Sequence, residues 1–473
     1  MIALSVAEIA AATGGTLTPA AGHPDAAAAV VTGPVVIDSR QAAPGALFAA
    51  LPGEQVDGHD FAAAAAGAGA TAVLASRPIG GIGGTPVIVV PDVTEALGAL
   101  ARSVLGRLPR ATVVGITGSS GKTSTKDLTA QVVERHGATI APVGNFNNEL
   151  GLPLTVLRAD ESTRYLVLEM SARGIGHIAQ LCGIAPPRIG AVLNVGRAHV
   201  GEFGSVDAIA KAKGELVEAL PADGVAILNA DDPNVLPMTA RTQARTVTFA
   251  VSAGRPADVR AAAISLDDLG RASFTMMMAA GRADVRLRLH GGHHVANALA
   301  AAAIAAELGM DVASIADALS SATARSKKRM ELTRRADGVL VVNDAYNANP
   351  DSAKAAIEAL RHLTSTGRRG FAVLGYMAEL GDLADASHQE IGRLAAKAGV
   401  TGLVVVGELA APVLTGARAQ AGWRGEAIAA PDAKAAIEEL RNRLRPGDVV
   451  LVKASKSAGL WEVADGLLAE VDQ

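Results

Sequence analysis

Cysteine and aromatic residues are scarce in this chain, and neither sign of charge dominates it. The single cysteine, Cys182, cannot form an intramolecular disulfide, which favours a reducing compartment. Aromatic residues make up 3% of the chain, too few for the stacking platforms that bind single-stranded nucleic acids. Lysine and arginine total 43 against 47 acidic residues, a net charge of −4, so the basic surface of a nucleic-acid-binding protein is missing. We expect no nucleic-acid partner.

Long hydrophobic runs are also lacking. The longest run of small apolar residues, Ala62 to Ala75, is mostly alanine and glycine, and it is too short and too weakly hydrophobic to cross a bilayer. The N-terminal sequence MIALSVAEIAAATGG lacks the positively charged stretch that precedes the apolar part of a secretory signal. We therefore expect a cytoplasmic protein without stable membrane insertion.

The length and the hydrophobic pattern predict several α/β domains. The 473 residues correspond to about three domains, and 49% of them are hydrophobic, enough for sizeable cores. Apolar β-rich runs alternate with alanine-rich helical stretches, which is typical of parallel sheets flanked by helices. We predict a small α/β domain over residues 1–108, a central parallel-sheet domain over 109–324 and a Rossmann-like domain over 325–473. No repeat at a fixed period is present, which argues against a solenoid.

The strongest local signal is GITGSSGKTSTKDL, residues 115–128. An apolar strand leads into a glycine-rich loop, then Lys122, Thr123 and a helical pattern. Glycines let backbone N–H groups turn toward phosphate oxygens, while the helix N-terminus and Lys122 add positive charge and Thr123 offers a hydroxyl to Mg²⁺. Ile116 stands where the usual motif has its first glycine, so this is a variant P-loop. The residues predicted to hold the nucleotide phosphates are Thr117, Gly118, Ser119, Ser120, Gly121, Lys122 and Thr123.

Polar residues follow other predicted strands of the central domain. Glu169 ends the run YLVLE, and His199 comes five residues after Asn194 in AVLNVGRAH. The carboxyl ends of parallel strands share one edge of a sheet, where ligands bind, so these residues should lie beside the P-loop. Mg²⁺ prefers one or two carboxylates together with phosphate oxygens, which makes Glu169 a candidate ligand and His199 a candidate to complete the site. Lys213, in AIAKAKGEL, is predicted to be helical, and its pattern alone leaves a surface role and a site role open.

The third predicted domain has its own set of polar strand ends. They occur in VVNDAYNANPDS (341–352), VLGYMAELGD (373–382) and VLVKASKS (450–457). Asparagine and aspartate next to proline are often only turn residues and helix caps. Three such strand ends in one domain nevertheless predict a binding crevice.

Together these motifs resemble the Mur ligases of peptidoglycan synthesis, over nearly the whole chain. DSRQAAPGALFAALPGEQVDGHDF (38–61) is similar to the family's UDP-binding domain, TGSSGKTS to its P-loop and GNFNNELGLPLTVL (144–157) to its muropeptide-facing segment. Further matches are EMSARGIGHI, NVGRAHVGEFGS, AKGEL, NALAA, NDAYNANPDS, GYMAELGD and KASKS. The P-loop is shared with folylpolyglutamate synthases, whereas SSGKT, NFNNELG and NDAYNANPDS resemble the Mur ligases that add D-alanyl-D-alanine.

The resemblance implies an activity and its small-molecule partners. It implies a monomeric, ATP-dependent ligase that joins D-alanyl-D-alanine to UDP-N-acetylmuramoyl-tripeptide through an acyl phosphate, using two Mg²⁺ ions. The third residue of the tripeptide is either diaminopimelate or lysine. The alternatives are another Mur ligase or a folylpolyglutamate-type amino-acid ligase, a P-loop ATPase or kinase, and a non-enzymatic nucleotide-gated interaction protein. An ATPase or kinase would need only the Lys122 region and would leave the third domain unexplained.

The resemblance also assigns roles to individual residues. The implied catalytic residues are Lys122, Glu169, His199 and Lys213, and the implied metal ligands are Thr123, Glu169, His199 and Lys213, the last as a carbamylated lysine. Asn297 and Arg329 would hold the nucleotide. Substrate contacts are implied for Ser39 and Arg40 with UDP, for Asn145 and Asn148 with the muropeptide, and for Asp344, Tyr346, Asn347, Asn349 and Lys453 with the dipeptide.

The chain departs from the family pattern at three of its motif positions. Ser171 replaces a glycine that is common after EM, and His294 replaces a frequent asparagine. Lys456 stands where arginine is common, an exchange that is not conservative where arginine makes a bidentate contact.

Overall fold

Three large β-sheets follow one another along the chain in a computed structural model that describes residues 1–18, 26–53, 56–144, 146–198 and 200–469. Each sheet is mostly parallel, with helices between its strands, as the alternation of patterns predicted. The sheets fall within the three predicted domains, whose exact boundaries stay predictions. In the part of the chain that the structure describes, no helix has both the length and the apolar character required to cross a membrane.

The N-terminal region contains seven described strands and three described α-helices. They are β1 (Leu4–Ser5), β2 (Thr16–Thr18), β3 (Val30–Val31), β4 (Val35–Val36), β5 (Leu47–Ala49), β6 (Ala72–Ala75), β7 (Val87–Val89), α1 (Val6–Thr13), α2 (Ala62–Gly67) and α3 (Val93–Gly106). Five strands form a sheet in the order β2-β7-β6-β5-β4, parallel except for β2, while β1 and β3 pair separately. Asp92 begins α3, because its side chain accepts a hydrogen bond from the Glu95 N–H.

The central region carries a nine-stranded sheet. Its elements are β8 (Thr112–Thr117), β9 (Thr139–Ile140), β10 (Tyr165–Glu169), β11 (Ile189–Val192), β12 (Val225–Asn229), β13 (Arg245–Ala250), β14 (Val259–Leu266), β15 (Arg271–Met278), β16 (Gly281–His290), α4 (Lys122–Val133), α5 (Gly151–Val156), α6 (His177–Ile184), α7 (Val200–Phe203), α8 (Val206–Glu218), α9 (His294–Glu307) and α10 (Val312–Ser321). The order is β16-β15-β14-β13-β12-β11-β8-β10-β9. Strand β8 lies between β10 and β11, where the strand order reverses, so the P-loop that follows β8 opens into the crevice where α/β sheets bind ligands.

Strand β14 is parallel to β13, whereas β15 is antiparallel to both β14 and β16. Strands β14, β15 and β16 were not part of the sequence prediction. They extend the parallel sheet at one edge. In β16, Val285, Leu287 and Leu289 are buried while Arg286 and Arg288 are exposed. This alternation is typical of an antiparallel sheet with one solvated face, whereas the buried central strands are continuously apolar.

The C-terminal region carries a six-stranded sheet. Its elements are β17 (Glu331–Arg334), β18 (Leu340–Asn343), β19 (Gly370–Leu374), β20 (Gly402–Val406), β21 (Glu426–Ala430), β22 (Val449–Lys453), α11 (Pro350–Thr364), α12 (Ala384–Lys397), α13 (Pro412–Arg418), α14 (Ala433–Arg441) and α15 (Trp461–Leu468). The order is β17-β18-β22-β19-β20-β21, and only the edge strand β17 is antiparallel to its neighbour. Asn349 caps α11 in a reciprocal hydrogen-bond pair with Ser352, with Pro350 in the first turn.

Contacts between the three regions place the crevice. Helix α3 of the N-terminal region packs against α5 and α6 of the central region. Helix α7 and Arg197 meet the C-terminal region. The Gly201 N–H donates to the Glu379 carbonyl at 2.9 Å, and the Arg197 N–H donates to Asp351 Oδ2 at 3.0 Å. A large cavity therefore lies between the P-loop edge of the central sheet and the C-terminal region.

Candidate active site

The P-loop connects β8 to α4 through a turn that requires glycine at its end. Gly121 has a φ of +79°, and a Cβ there would lie 2.7 Å from Asn297 Oδ1. Because Gly121 occupies the left-handed region, α4 can begin directly at Lys122. Thr117 and Gly118 do not line the cavity, and the buried Thr117 hydroxyl has no hydrogen-bond partner among the described residues.

Asn194, just after β11, holds the loop in shape. Its carbonyl accepts from the Ser119 N–H at 3.0 Å, and its Oδ1 accepts from the Ser120 N–H at 2.8 Å. Its Nδ2 donates to the Ser120 carbonyl at 3.1 Å. Asn194 thus fixes the conformation of the phosphate loop at Ser119 and Ser120. The sequence pattern did not predict this role.

Lys122 is a cation without an ion-pair partner among the described residues. Its Nζ donates to the Gly118 carbonyl at 2.7 Å, a neutral acceptor of its own loop. Burial lowers the pKa of Lys122, the Glu169 carboxylate opposes that shift, and the Arg329 charge adds to it. A lysine held this way beside a glycine-rich loop is suited to receive an anion.

Glu169, at the end of β10, lies against the start of α4. Its Oε2 accepts from the Thr123 hydroxyl and its Oε1 from Asn147 Nδ2, each at 2.7 Å, and the residue is buried. Hydroxyl and carboxylate oxygens are the hard donors that Mg²⁺ prefers, so the pair fits a magnesium site. Asn147 lies in the NFNNELG motif but was not predicted as a site residue. No cluster of three or more histidine, cysteine, aspartate or glutamate residues forms a metal site within the described residues, and predicted ligand His199 lies outside them.

Lys213 lies on α8 and is buried, and it is not among the residues that line the cavity. Burial lowers the pKa of Lys213 well below its usual value, and the charge of Lys122 lowers it further. The amine is therefore held toward its uncharged form, which is the form that can react with CO₂.

The cavity has a volume of about 1050 Å³ and brings most of the predicted residues together. Its central side includes Ser119, Ser120, Gly121, Lys122, Thr123, Asn148, Glu169 and Asn297. Its C-terminal side includes Arg329, Asp344, Tyr346, Asn347, Asn349 and Lys453. Ser39 and Arg40 do not line it, because they lie in the N-terminal region, where Arg40 pairs with Asp38 and is 88% exposed. Asn145 lies outside the described residues.

The C-terminal wall is internally paired. Lys453 Nζ donates to Asp344 Oδ2 at 2.6 Å and to the Asn347 carbonyl at 3.0 Å. Asn349 uses its Oδ1 to cap α11 and directs its Nδ2 toward the Ser119 carbonyl at 3.4 Å. Asn349 therefore joins the C-terminal wall to the P-loop.

A cluster of cations and aromatic rings borders the same cavity. The Arg329 guanidinium lies 4.2 Å from the centre of the Tyr346 ring, and Lys456 Nζ lies 5.9 Å from it. Lys328 Nζ lies 4.0 Å from the centre of the Trp461 ring. Flat rings and a guanidinium are suited to stacking on a nucleotide base. Trp461 and Lys328 were not among the predicted site residues.

Two of the departures from the family pattern are accommodated by the structure. Ser171 donates its backbone N–H to the Asn147 carbonyl at 3.1 Å, a contact that does not depend on the side chain. His294 is buried, and burial lowers its pKa well below the usual value, with His293 and His290 adding to the shift. The ring Nδ1 of neutral His294 lies 3.3 Å from Asn297 Nδ2.

Comparisons with known proteins agree with this geometry. The Mur ligase middle domain matches residues 116–305, the Mur ligase glutamate ligase domain 328–456 and the Mur ligase family catalytic domain 34–104. A Mycobacterium tuberculosis protein named UDP-N-acetylmuramoyl-tripeptide--D-alanyl-D-alanine ligase is 49% identical over 509 residues, which covers 99% of this chain and 98% of the relative.

Two solved structures share the arrangement of all three regions. MurF from Acinetobacter baumannii superposes with a TM-score of 0.87 at 30% identity, covering 99% of each chain. MurF ligase from Thermotoga maritima in complex with ADP gives a TM-score of 0.80 at 30% identity, covering 93% of this chain and 98% of that one.

Proposed function

The chain belongs to the Mur ligase family, and on that premise we propose that it joins D-alanyl-D-alanine to UDP-N-acetylmuramoyl-tripeptide with consumption of ATP, in peptidoglycan precursor synthesis. The observation that carries this proposal is the shared cavity. In it, Lys122 and the Thr123–Glu169 pair face the polar wall of a separate C-terminal sheet. A nucleotide and a second substrate can meet there, which a simple ATPase would not require.

The chemical problem is that a carboxylate is a poor acylating agent. It is anionic, and direct attack by an amine would have to expel oxide. Phosphorylation solves this: a carboxylate oxygen of the tripeptide attacks the γ-phosphorus of ATP, and ADP leaves. The amine of D-alanyl-D-alanine then attacks the acyl phosphate, the C–O bond breaks, and inorganic phosphate departs.

The P-loop supports the first of these steps. Its backbone N–H groups, the start of α4 and Lys122 place positive charge around the triphosphate. Because Lys122 has no ion-pair partner among the described residues, its charge remains available to the transferring phosphoryl group. The similar Thermotoga maritima ligase was solved with ADP, which supports a nucleotide at this loop. Asn297 and Arg329, on the rim of the cavity, would hold the rest of the nucleotide.

Thr123, Glu169 and His199 would hold Mg²⁺, and a carbamylated Lys213 would support a second ion. The oxygen donors of Thr123 and Glu169 already lie 2.7 Å apart and fit the first ion. The buried Lys213 amine, with its lowered pKa, fits carbamylation. When bound, Mg²⁺ neutralises charge that develops on the phosphate oxygens.

The remaining predicted residues would bind the two organic substrates. Ser39 and Arg40 would hold UDP, and Asn145 and Asn148 the muropeptide, while Asp344, Tyr346, Asn347, Asn349 and Lys453 would line the site of the dipeptide. An acyl phosphate hydrolyses in water, so close contact between the central and C-terminal walls would protect it. We also propose that the enzyme acts as a monomer in the cytoplasm, where ATP is available.

A ligation assay with mass analysis tests this function. Purified protein is incubated with ATP, Mg²⁺, UDP-N-acetylmuramoyl-tripeptide and either D-alanyl-D-alanine or a single amino acid. We expect one new product, with the mass of tripeptide plus dipeptide minus water, and ADP in equal amount. Product with a single amino acid instead, or phosphate release that does not depend on the tripeptide, would contradict the proposal.

A further inference from the structure

Glu215, two residues after Lys213 on α8, is buried and fully engaged with another element. Its Oε1 accepts from the Gly176 N–H at 2.6 Å, and its Oε2 accepts from the Ala179 N–H at 3.0 Å. Each carboxylate oxygen therefore satisfies one backbone donor at the start of α6, where four N–H groups lack partners within the helix. The two bonds fix α6 to the helix that carries Lys213.

Helix α6 in turn holds one wall of the cavity. The segment 171–176 leads into α6, and its first residues line the cavity next to the segment 146–151. At the other end of α6, the Arg102 side chain of the N-terminal region donates to the Gly183 carbonyl. Helix α6 thus runs between the N-terminal region and the turn of α8 that carries Lys213.

The opposite face of the same turn of α8 is held by Arg241. Its Nη1 donates to the Ala210 carbonyl at 3.1 Å and its Nη2 to the Lys211 carbonyl at 2.8 Å. Arg241 can pass this closely only because Gly214 lacks a side chain, since a Cβ there would lie 1.9 Å from Nη1. The surroundings thus differ between three successive residues of α8: Lys213 is buried, Gly214 packs against Arg241, and Glu215 bonds to the start of α6.

We propose that Glu215 is a positioning residue for the muramoyl-peptide side of the reaction. This inference rests on the proposed function. A substrate that reaches from the N-terminal region to the P-loop would pass the wall formed by 146–151 and 171–176, because α5 and α6 are the central-region helices described as packing against α3. Glu215 sets the position of that wall relative to Lys213, whereas the dipeptide wall belongs to another sheet.

Substitution by glutamine tests this role because glutamine offers one oxygen where the carboxylate offers two. In Glu215→Gln the side-chain NH₂ must face one of the two backbone N–H groups, and that donor loses its partner. Glu215→Asp keeps the charge but cannot reach both donors. Asp207→Asn is the matched control, since it removes one negative charge from an exposed position of the same helix.

The experiment measures the kinetic constants for each substrate separately, together with the melting temperature. In Glu215→Gln we expect kcat/KM for UDP-N-acetylmuramoyl-tripeptide to fall by about 10–100-fold, as for other residues that orient a catalytic site indirectly. The KM values for ATP and D-alanyl-D-alanine should not change. Glu215→Asp should show the same selectivity with a smaller loss, and Asp207→Asn no loss.

Two results would overturn the inference. One is an unchanged kcat/KM for the muramoyl substrate in folded Glu215→Gln protein. The other is an equal loss for all three substrates that follows the melting temperature through both Glu215 variants, as expected from a purely structural role. Both results leave the proposed function intact, because that function fails only if the wild-type protein makes no ligated product.

Discussion

The two walls of the cavity each present a lysine, and the two lysines are held in opposite ways. Lys453, on the C-terminal wall, lies 2.6 Å from the Asp344 carboxylate. Lys122, on the central wall, donates to the neutral Gly118 carbonyl and has no ion-pair partner in the described part of the chain, and burial lowers its pKa. One charge is neutralised by the fold itself, whereas the other is left for a ligand to neutralise.

This difference matches the charges of the proposed substrates. A triphosphate carries several negative charges and brings its own counter-charge to Lys122. A dipeptide carries one charge of each sign, so a lysine that is already paired can lie beside it without adding excess charge. An unpaired and poorly solvated cation raises the free energy of the protein without ligand, and phosphate binding offsets that cost. A lysine that is already paired has a smaller cost for a ligand to offset.

The largest expected effect is the loss of the unpaired cation in Lys122→Ala. We expect ligation to fall by roughly 10³-fold or more, because the transferring phosphoryl group loses its nearest positive charge. The melting temperature should not fall, since the folded state loses a poorly solvated charge rather than an ion pair. Lys354→Ala, an exposed lysine of α11, is the control. Ligation at the wild-type rate in Lys122→Ala would remove the P-loop from the mechanism.

Lys213, a buried lysine of α8 in the central region, provides a second test, because its proposed carbamylation depends on CO₂. We expect Lys213→Ala to lose about 10²–10³-fold in activity, while Lys211→Ala on the same helix keeps it. In the wild-type protein, activity should drop after CO₂ is removed and return with bicarbonate. Carbamylation needs the uncharged amine. Because the pKa of Lys213 is lowered, the amine stays uncharged at a pH where an ordinary lysine is protonated, and the carbamate should be lost only when acidification passes that lowered pKa.

Bicarbonate should not restore Lys213→Ala. If removal of CO₂ leaves the wild-type rate unchanged, or if bicarbonate rescues the alanine variant, Lys213 is not carbamylated in the working enzyme.

The smallest expected effect is that of Asp344→Asn, which removes the ion-pair partner of Lys453 and leaves this lysine unpaired, as Lys122 is among the described residues. Asp344→Asn leaves a buried lysine without its carboxylate, and we expect a loss of about 3 kcal/mol in the free energy of unfolding of the C-terminal region. Urea unfolding measures this loss, and Asp337→Asn, an exposed carboxylate of the same region, is the control. Equal free energies of unfolding for the Asp344 and Asp337 variants would show that the Asp344 carboxylate does not stabilise the charge of Lys453, contrary to this comparison.

The sequence predicted the fold and much of the site because both leave local patterns. Apolar runs such as Tyr165–Glu169 are strands because they are buried on both faces, and the predicted three-domain α/β fold is confirmed by the similar structures. The P-loop could be predicted from the sequence because glycine and lysine must occupy fixed positions in that loop. The residue roles and the domain boundaries stay predictions.

Other features could not be predicted, because they depend on distant parts of the chain. Glu215 and Arg241 act on backbone groups that lie far from them in sequence, with no motif to mark the pairing. The antiparallel strands β15 and β16 alternate buried and more exposed side chains, but their register depends on the neighbouring strands. The pairing of Lys453 with Asp344 joins the ends of two strands that are over a hundred residues apart.

Transfer of an oxygen isotope tests the central claim most directly. Both oxygens of the reacting carboxylate of UDP-N-acetylmuramoyl-tripeptide are labelled with ¹⁸O, and the released phosphate is analysed by mass spectrometry. If that carboxylate attacks the γ-phosphate of ATP, one labelled oxygen must appear in inorganic phosphate for each amide bond formed. Ligated product accompanied by unlabelled phosphate would contradict activation through an acyl phosphate at this P-loop.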